Sequence, residues 1–227
     1  MITMQEWRAM SGKEQTIWLE ENTELSRRSE SLRGLVCGVG VNDAPYCAQP
    51  RIDGKQVVCP AYSAWTGMLK RAYSEKCQEK RPTYKGVVVC DEWHSFMSFR
   101  HWWLENQVDG WELDKDILYD DGVYSPEACI FVPSWLNSFT IDSGSSRGEL
   151  PIGVDFQKRA GKYRAQCCQP LAGRRGRLCL GLFTTPEEAH LAWLARKLEL
   201  ALELKPKMDE IDLRIYLRVV EIINNAK

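Results

Sequence analysis

The chain has 227 residues, 44% hydrophobic and 27% charged, with a formal net charge of −1, so global charge gives no argument for nucleic-acid binding. No apolar run reaches the ~18 residues of a membrane span, and Met1–Gln15 holds no apolar signal core. Nine cysteines, an odd count without CxxC spacing, argue against a disulfide framework and a zinc knuckle, so a cytoplasmic chain with reduced thiols is expected.

Residues 1–34 are charged, with Trp7, Met10, Ile17, Trp18, Leu19, Leu25 and Leu32 irregularly spaced. Helical turns interrupted at Ser11-Gly12 are expected, as a helical arm whose role the sequence leaves open: an accessory arm, a DNA contact or a dimer contact. From Gly34 to Pro60 turns dominate. Gly38-Val39-Gly40 lacks the Lys-Ser/Thr ending of a phosphate loop. Ile52-Asp53-Gly54-Lys55 reads as a hairpin turn. Ala61–Tyr73 is amphipathic, with Tyr62, Trp65, Met68, Leu69 and Tyr73 on one face. Tyr84–Cys90 reads as a strand. Asp91 is expected to cap a helix over Glu92–Asn106 that carries His94 and His101 on one face.

Trp111–Phe139 holds most of the chemistry. Glu112–Leu118 reads as a strand, Asp120-Asp121-Gly122 as a turn, and Ala128–Pro133 as a buried strand. Ser134 can cap a short helix carrying Asn137. Carboxylate and amide oxygens in that order suit a hard cation. Period two puts Asp114 and Asp116 on one side of the strand and Lys115 on the other.

Thr140–Pro151 is Ser/Gly-rich and reads as a linker. Beyond it, Gly153–Lys158, Lys162–Cys168 and Arg177–Phe183 read as three strands. Thr185 caps a helix with Pro186 at its first position and Glu187-Glu188 in its first turn. Leu191, Leu194, Ala195, Leu198 and Leu202 are its expected apolar stripe, and Pro206 its expected end. Met208–Ala226 is a last helix striped by Ile211, Ile215, Val219 and Ile222. Asp155–Arg177 holds Lys158, Arg159, Lys162, Arg164, Arg174, Arg175 and Arg177 against the single acid Asp155. That local asymmetry is what a phosphate-tracking surface needs; a solvated basic loop is the plainer alternative. Strand alternation lets Tyr163 and Ala165 face inward while Arg164 and Gln166 face out. Arg to guanine and Gln to adenine are the pairings that the major groove favours.

Two stretches carry a family resemblance. Leu113-Asp114-Lys115-Asp116-Ile117, then Tyr124-Ser125-Pro126-Glu127, then Cys129–Pro133, then Asn137 resembles the divergent HNH endonucleases of tailed bacteriophages. Gly38–Asp43 and Cys59-Pro60-Ala61-Tyr62 are similar to stretches of those proteins. Gly153-Val154, Lys162–Ala165, Leu180–Phe183 and Thr185–Ala189 resemble the AP2-like DNA-binding domain that such proteins carry at the C-terminus. The resemblance implies an α+β chain: a ββα-metal, HNH-like nuclease domain over 35–141, a linker over 142–151, and an AP2-like three-stranded antiparallel sheet plus helix within 152–227. It implies Asp114 and Asn137 as ligands of a divalent ion, Mg2+ or Mn2+, with Lys115 at the general-base position and Asp116 as a further ligand or base. No His stands in the motif and no Asn in its turn. The implied function is a metal-dependent homing endonuclease that nicks or cleaves duplex DNA, as a monomer or homodimer, in the host cytoplasm if phage-encoded. Lys158, Arg159, Lys162, Arg164, Gln166, Arg174, Arg175 and Arg177 would contact DNA. The alternative is a catalytically inactive, sequence-specific DNA-binding protein derived from such a nuclease.

Overall fold

The structure is a computed structural model and describes residues 2–140, 148–171 and 176–226. Arg174 and Arg175, and 142–147 of the expected linker, lie outside the described residues. Helices are mixed with small sheets, an architecture compatible with α+β. The chain divides into two compact units, Met1–Phe131 and Val132–Lys227. Among the described residues no helix is long and apolar enough to cross a membrane.

The first unit begins with two short helices, α1 (Met4–Ala9) and α2 (Gly12–Asn22). Each starts with a capping box. Thr3 and Ser11 accept from the amides of Glu6 and Glu14, whose carboxylates accept from the cap amides in return. Trp7 and Leu19 are buried in the same cluster as Trp65 and Phe96, so these residues are part of the core. A short helix α3 (Arg27–Ser31) follows. Arg33 then donates to the carbonyls of Asn42, Ala44 and Tyr46 and pins the irregular stretch beyond it.

That stretch lies against α4 (Pro60–Tyr73), whose Trp65, Met68 and Leu69 are fully buried. A Cβ on Gly40 would stand 2.4 Å from Leu69 Cδ1, which explains a glycine there. Arg51–Ile52 (β1) and Lys55–Gln56 (β2) pair antiparallel around Asp53 and Gly54, with φ of 48° and 72°. Two positive φ values are what a two-residue type I′ turn requires. A helix α5 (Glu75–Lys80) follows.

The expected strand Tyr84–Cys90 contracts to Val88–Val89 (β3), which pairs parallel with Val123–Tyr124 (β5). The expected helix over Glu92–Asn106 is two elements: a 3-10 turn at Asp91–His94, then α6 (Phe96–Asn106). Ser95 caps α6 by accepting from Ser98 N, and Asp43 accepts from Ser95 Oγ and Met97 N. These bonds start the helix after His94, so His94 and His101 do not share a helical face. Arg100, 6% exposed, donates to Glu20 at 2.5 Å and joins α6 to α2. Trp111–Asp114 (β4) pairs with Ile130–Pro133 (β6), the strand in which the first unit ends and the second begins.

In the second unit α7 (Ser134–Thr140) buries Leu136 and Phe139. Val154–Gln157 (β7), Lys162–Cys168 (β8) and Arg177–Phe183 (β9) form an antiparallel sheet in chain order. One face packs on the long helix Pro186–Asp209 through Val154, Ala165 and Ala189. Gly153 has φ of 81°, and a Cβ there would stand 2.1 Å from Trp193 Cδ1. Only a glycine lets the tryptophan lie on that backbone.

The buried face of the long helix is Ala189, Trp193, Lys197, Leu200, Ala201, Leu204 and Met208. The expected leucine stripe is therefore out of phase: Leu191 and Leu202 are 63% and 60% exposed. The helix approaches the sheet with small residues and one tryptophan, and Lys197 lies along the same face with Nζ 3.7 Å from the Phe139 ring centre. Pro206 does not end the helix. It costs one backbone bond in a late turn, while fully buried Met208 and the Lys205–Asp209 ion pair hold the next. The final helix starts at Ile215 rather than Met208, because the Asp212 side chain accepts from Arg214 N and turns the chain; Ile215, Val219 and Ile223 are its buried stripe.

Candidate nucleic-acid interface and the acidic turn

The turn at 158–161 fixes the register of β7 against β8. Gln157 pairs with Lys162, Asp155 with Arg164, and Val154 with Ala165. Alternation then gives the sheet two faces. Val154, Ala165 and Cys167 are buried on the helix side, where Tyr163 and Phe183 also pack. Asp155, Gln157, Lys162, Arg164 and Gln166 stand on the other. On β9, Leu182 lies opposite Arg164 and is 47% exposed. A register shift between Ala165 and Gln166, facing Gly181 at φ 139°, bends the ladder there. Arg177, Lys158 and Arg159 are exposed, the latter two in the connecting turn.

The centre of this outer face is a carboxylate. Arg164 donates Nε to Asp155 Oδ1 and Nη2 to Asp155 Oδ2, both at 3.0 Å. Gln166 Nε2 and Gln157 Nε2 also donate to Asp155. Burial pushes the Asp155 carboxyl up, but the hydrogen bonds from Arg164, Gln166 and Gln157 outweigh it and hold the group below the usual carboxylate range. The same pair raises Arg164. Sequence reasoning counted Asp155 only as the one acid among bases. The signal was available: a hairpin with Lys158–Gly161 as its turn puts residue 155 opposite residue 164.

The acidic segment is arranged differently from the expected strand over Glu112–Leu118. The strand ends at Asp114. Asp114 Oδ1 accepts from the amides of Asp116 and Ile117, both at 2.8 Å, and closes an Asx-type turn. The turn buries Ile117 and Leu118, and also Lys115, which is 6% exposed. Lys115 Nζ is paired with the Asp116 carboxylate and lies 5.8 Å from the Tyr124 ring centre. Asp114 and Asp116 therefore do not act from one side of a strand. Burial raises the Asp114 carboxyl above its ordinary range, against the pull of the two amides.

As a cation site this set is poorly matched. One Asp114 oxygen already serves two amides, and Asp116 is neutralised by the buried Lys115 ammonium. A divalent ion at Asp114 would have to displace that ammonium or overcome its repulsion. Among the described residues no three His, Cys, Asp or Glu side chains are grouped to hold a metal ion. Asn137 is half-buried on α7, in the second unit. His94 Nε2 lies 3.3 Å from the Tyr73 hydroxyl, with Asp91 3.9 Å from its Nδ1. No family model, curated protein or solved structure matches the chain.

Proposed function

We propose that this chain binds duplex DNA in a sequence-dependent way through the outer face of the β7–β8–β9 sheet. One observation carries the reading. Arg164, Gln166, Gln157 and Lys162 stand in register on one face of an antiparallel ladder whose other face is buried on a helix. Strands spaced ~4.8 Å apart present such side chains to a major groove ~12 Å wide. Arg164 and Gln166 would read base edges. Lys158, Arg159 and Arg177, exposed around them, would contact phosphates, as would Arg174 and Arg175 of the same sequence run. The likeness to AP2-like domains in the strand and helix sequences supports the same reading.

The test is selection from a randomised duplex pool with the full chain. A recovered consensus, bound more tightly than a scrambled duplex and with that preference weakened in Arg164→Ala, supports the reading. Failure to bind any duplex at low salt by a folded protein refutes it.

A second reading is metal-dependent nicking of the bound DNA. What favours it is the order strand, strand, helix at β4, β6 and α7, with β4 and β6 paired, as in the nuclease family that the sequence resembles. Asp114 and Asn137 would be the ligands for Mg2+ or Mn2+, and Lys115 or Asp116 would sit nearest the chemistry. The compensated charges of the acidic turn weigh against it. Supercoiled plasmid incubated with the protein, with and without each metal, separates the two. Nicking abolished in both Asp114→Ala and Asn137→Ala supports the nuclease; intact plasmid throughout leaves the binding protein.

A further inference from the structure

Asp155 is the one acid of its sequence run, yet its carboxylate accepts from three side chains of the sheet's outer face. We infer that Asp155 is a positioning residue that sets sequence specificity by fixing which donors and acceptors Arg164 and Gln166 present to a base edge. This rests on the DNA-binding reading above and deepens it.

The argument is geometric. The Nε–Nη2 edge of Arg164 is occupied by the two carboxylate oxygens. Two Nη1 protons and one Nη2 proton remain, and one of each forms the Nη1–Nη2 end of the fork. That end suits the paired acceptors O6 and N7 of guanine. For Gln166, an acceptor-only carboxylate selects the orientation of the amide: nitrogen toward Asp155, oxygen away. One N–H and Oε1 are left, the donor and acceptor that adenine N7 and N6 require. Both side chains are thereby oriented before binding, so DNA recognition costs less rotamer freedom. Asp155 also removes one positive charge from the face, which weakens attraction to any phosphate. Its net effect is to favour discrimination over affinity.

The experiment uses the full chain as wild type, Asp155→Ala, Asp155→Asn, Arg164→Ala and the double variant Asp155→Ala/Arg164→Ala. Each is titrated with the duplex that wild type selects and with a scrambled duplex, at two salt concentrations. Asp155→Ala should bind scrambled DNA at least as tightly as wild type, with a steeper salt dependence, yet discriminate about tenfold less. In the Arg164→Ala background the same change should alter discrimination less, because the share that runs through Arg164 is gone and only the share through Gln166 remains. A merely structural role would lower binding to both duplexes in proportion, and that result overturns the inference. So does discrimination unchanged in Asp155→Ala. If Asp155→Ala is unfolded by circular dichroism, Asp155→Asn decides. It keeps the shape and one acceptor oxygen but cannot accept all three donors, so full discrimination in that variant also overturns the inference. A wild type that selects no sequence instead refutes the DNA-reading proposal, and the role of Asp155 with it.

Discussion

Asp114 has a raised carboxyl pKa because burial penalises its charge more than two backbone amides stabilise it. Between the ordinary carboxylate value, ~3.9, and the raised folded value, the folded state binds more protons than the unfolded one. Stability therefore falls as pH rises through that window, and the cost persists above it. Asp114→Asn keeps an oxygen to accept from Asp116 and Ile117 but carries no charge. The variant should be at least as stable as wild type at neutral pH, and its advantage should disappear on acidification below the window; thermal melts across pH 3–7 measure this. If Asp114 is instead held charged by a metal ion, adding Mg2+ should raise the melting temperature of wild type and not of the variant. Gly153 gives a second residue-scale expectation. Gly153→Ala places a methyl against Trp193 at a backbone angle that disfavours side chains, and should cost roughly 1–3 kcal/mol, read from denaturant unfolding. The sequence marked Gly153 only as the start of a strand. Its need for a glycine comes from Trp193, which is distant in sequence and not visible in local pattern.

At the scale of elements, legibility followed periodicity. β8 and β9 have the bounds that alternation predicts, Lys162–Cys168 and Arg177–Phe183, and the Thr185 cap with Pro186 stands where the helix begins. The helix's buried face was not legible, because its stripe contains a lysine and two alanines while the leucines lie partly outside. Lys197 is the cause of the misreading and the most testable element of it. Burial pushes its ammonium pKa down, with Cys167 opposing. The unfolded state thus binds more protons just below the ordinary lysine value of ~10.4, and stability rises with pH through the window between the lowered and ordinary values. Lys197→Met, similar in volume and without charge, should raise stability at pH 7 by roughly 1 kcal/mol, reduced by whatever the cation–π interaction with Phe139 contributes in wild type. The gain should shrink as the pH approaches 10. Melts of both proteins across pH 7–10 check the sign; a variant less stable than wild type at pH 7 would mean that the ring interaction outweighs desolvation. The acidic segment was misread for a related reason. Alternation of Asp114, Lys115 and Asp116 suggests a strand, but the Asp114 side chain captures two amides that a strand would need elsewhere.

For the molecule as a whole, a net charge of −1 gives little long-range attraction to a polyanion, so the proposed DNA affinity would rest on a local basic surface, here the outer sheet face of the second unit. That makes the division of labour measurable. Lys158 and Arg159 are exposed in the turn between β7 and β8 and have no place on the ladder itself, whereas Arg164 is anchored on it. Replacing Lys158 or Arg159 by Ala should weaken binding to selected and scrambled duplexes by the same factor. Removing one phosphate-neutralising side chain should make the slope of log K against log salt shallower by about 0.9. Arg164→Ala should instead reduce the preference for the selected duplex, by roughly 1–3 kcal/mol if the contact is bidentate. Titrations of the full chain at several salt concentrations give slope and discrimination together. Substitutions in the first unit, such as Asp114→Ala, should leave both quantities unchanged, since that unit contributes none of the proposed DNA-binding residues. A salt slope that responds to Asp114→Ala but not to Lys158→Ala and Arg159→Ala would move the DNA-binding surface off the sheet.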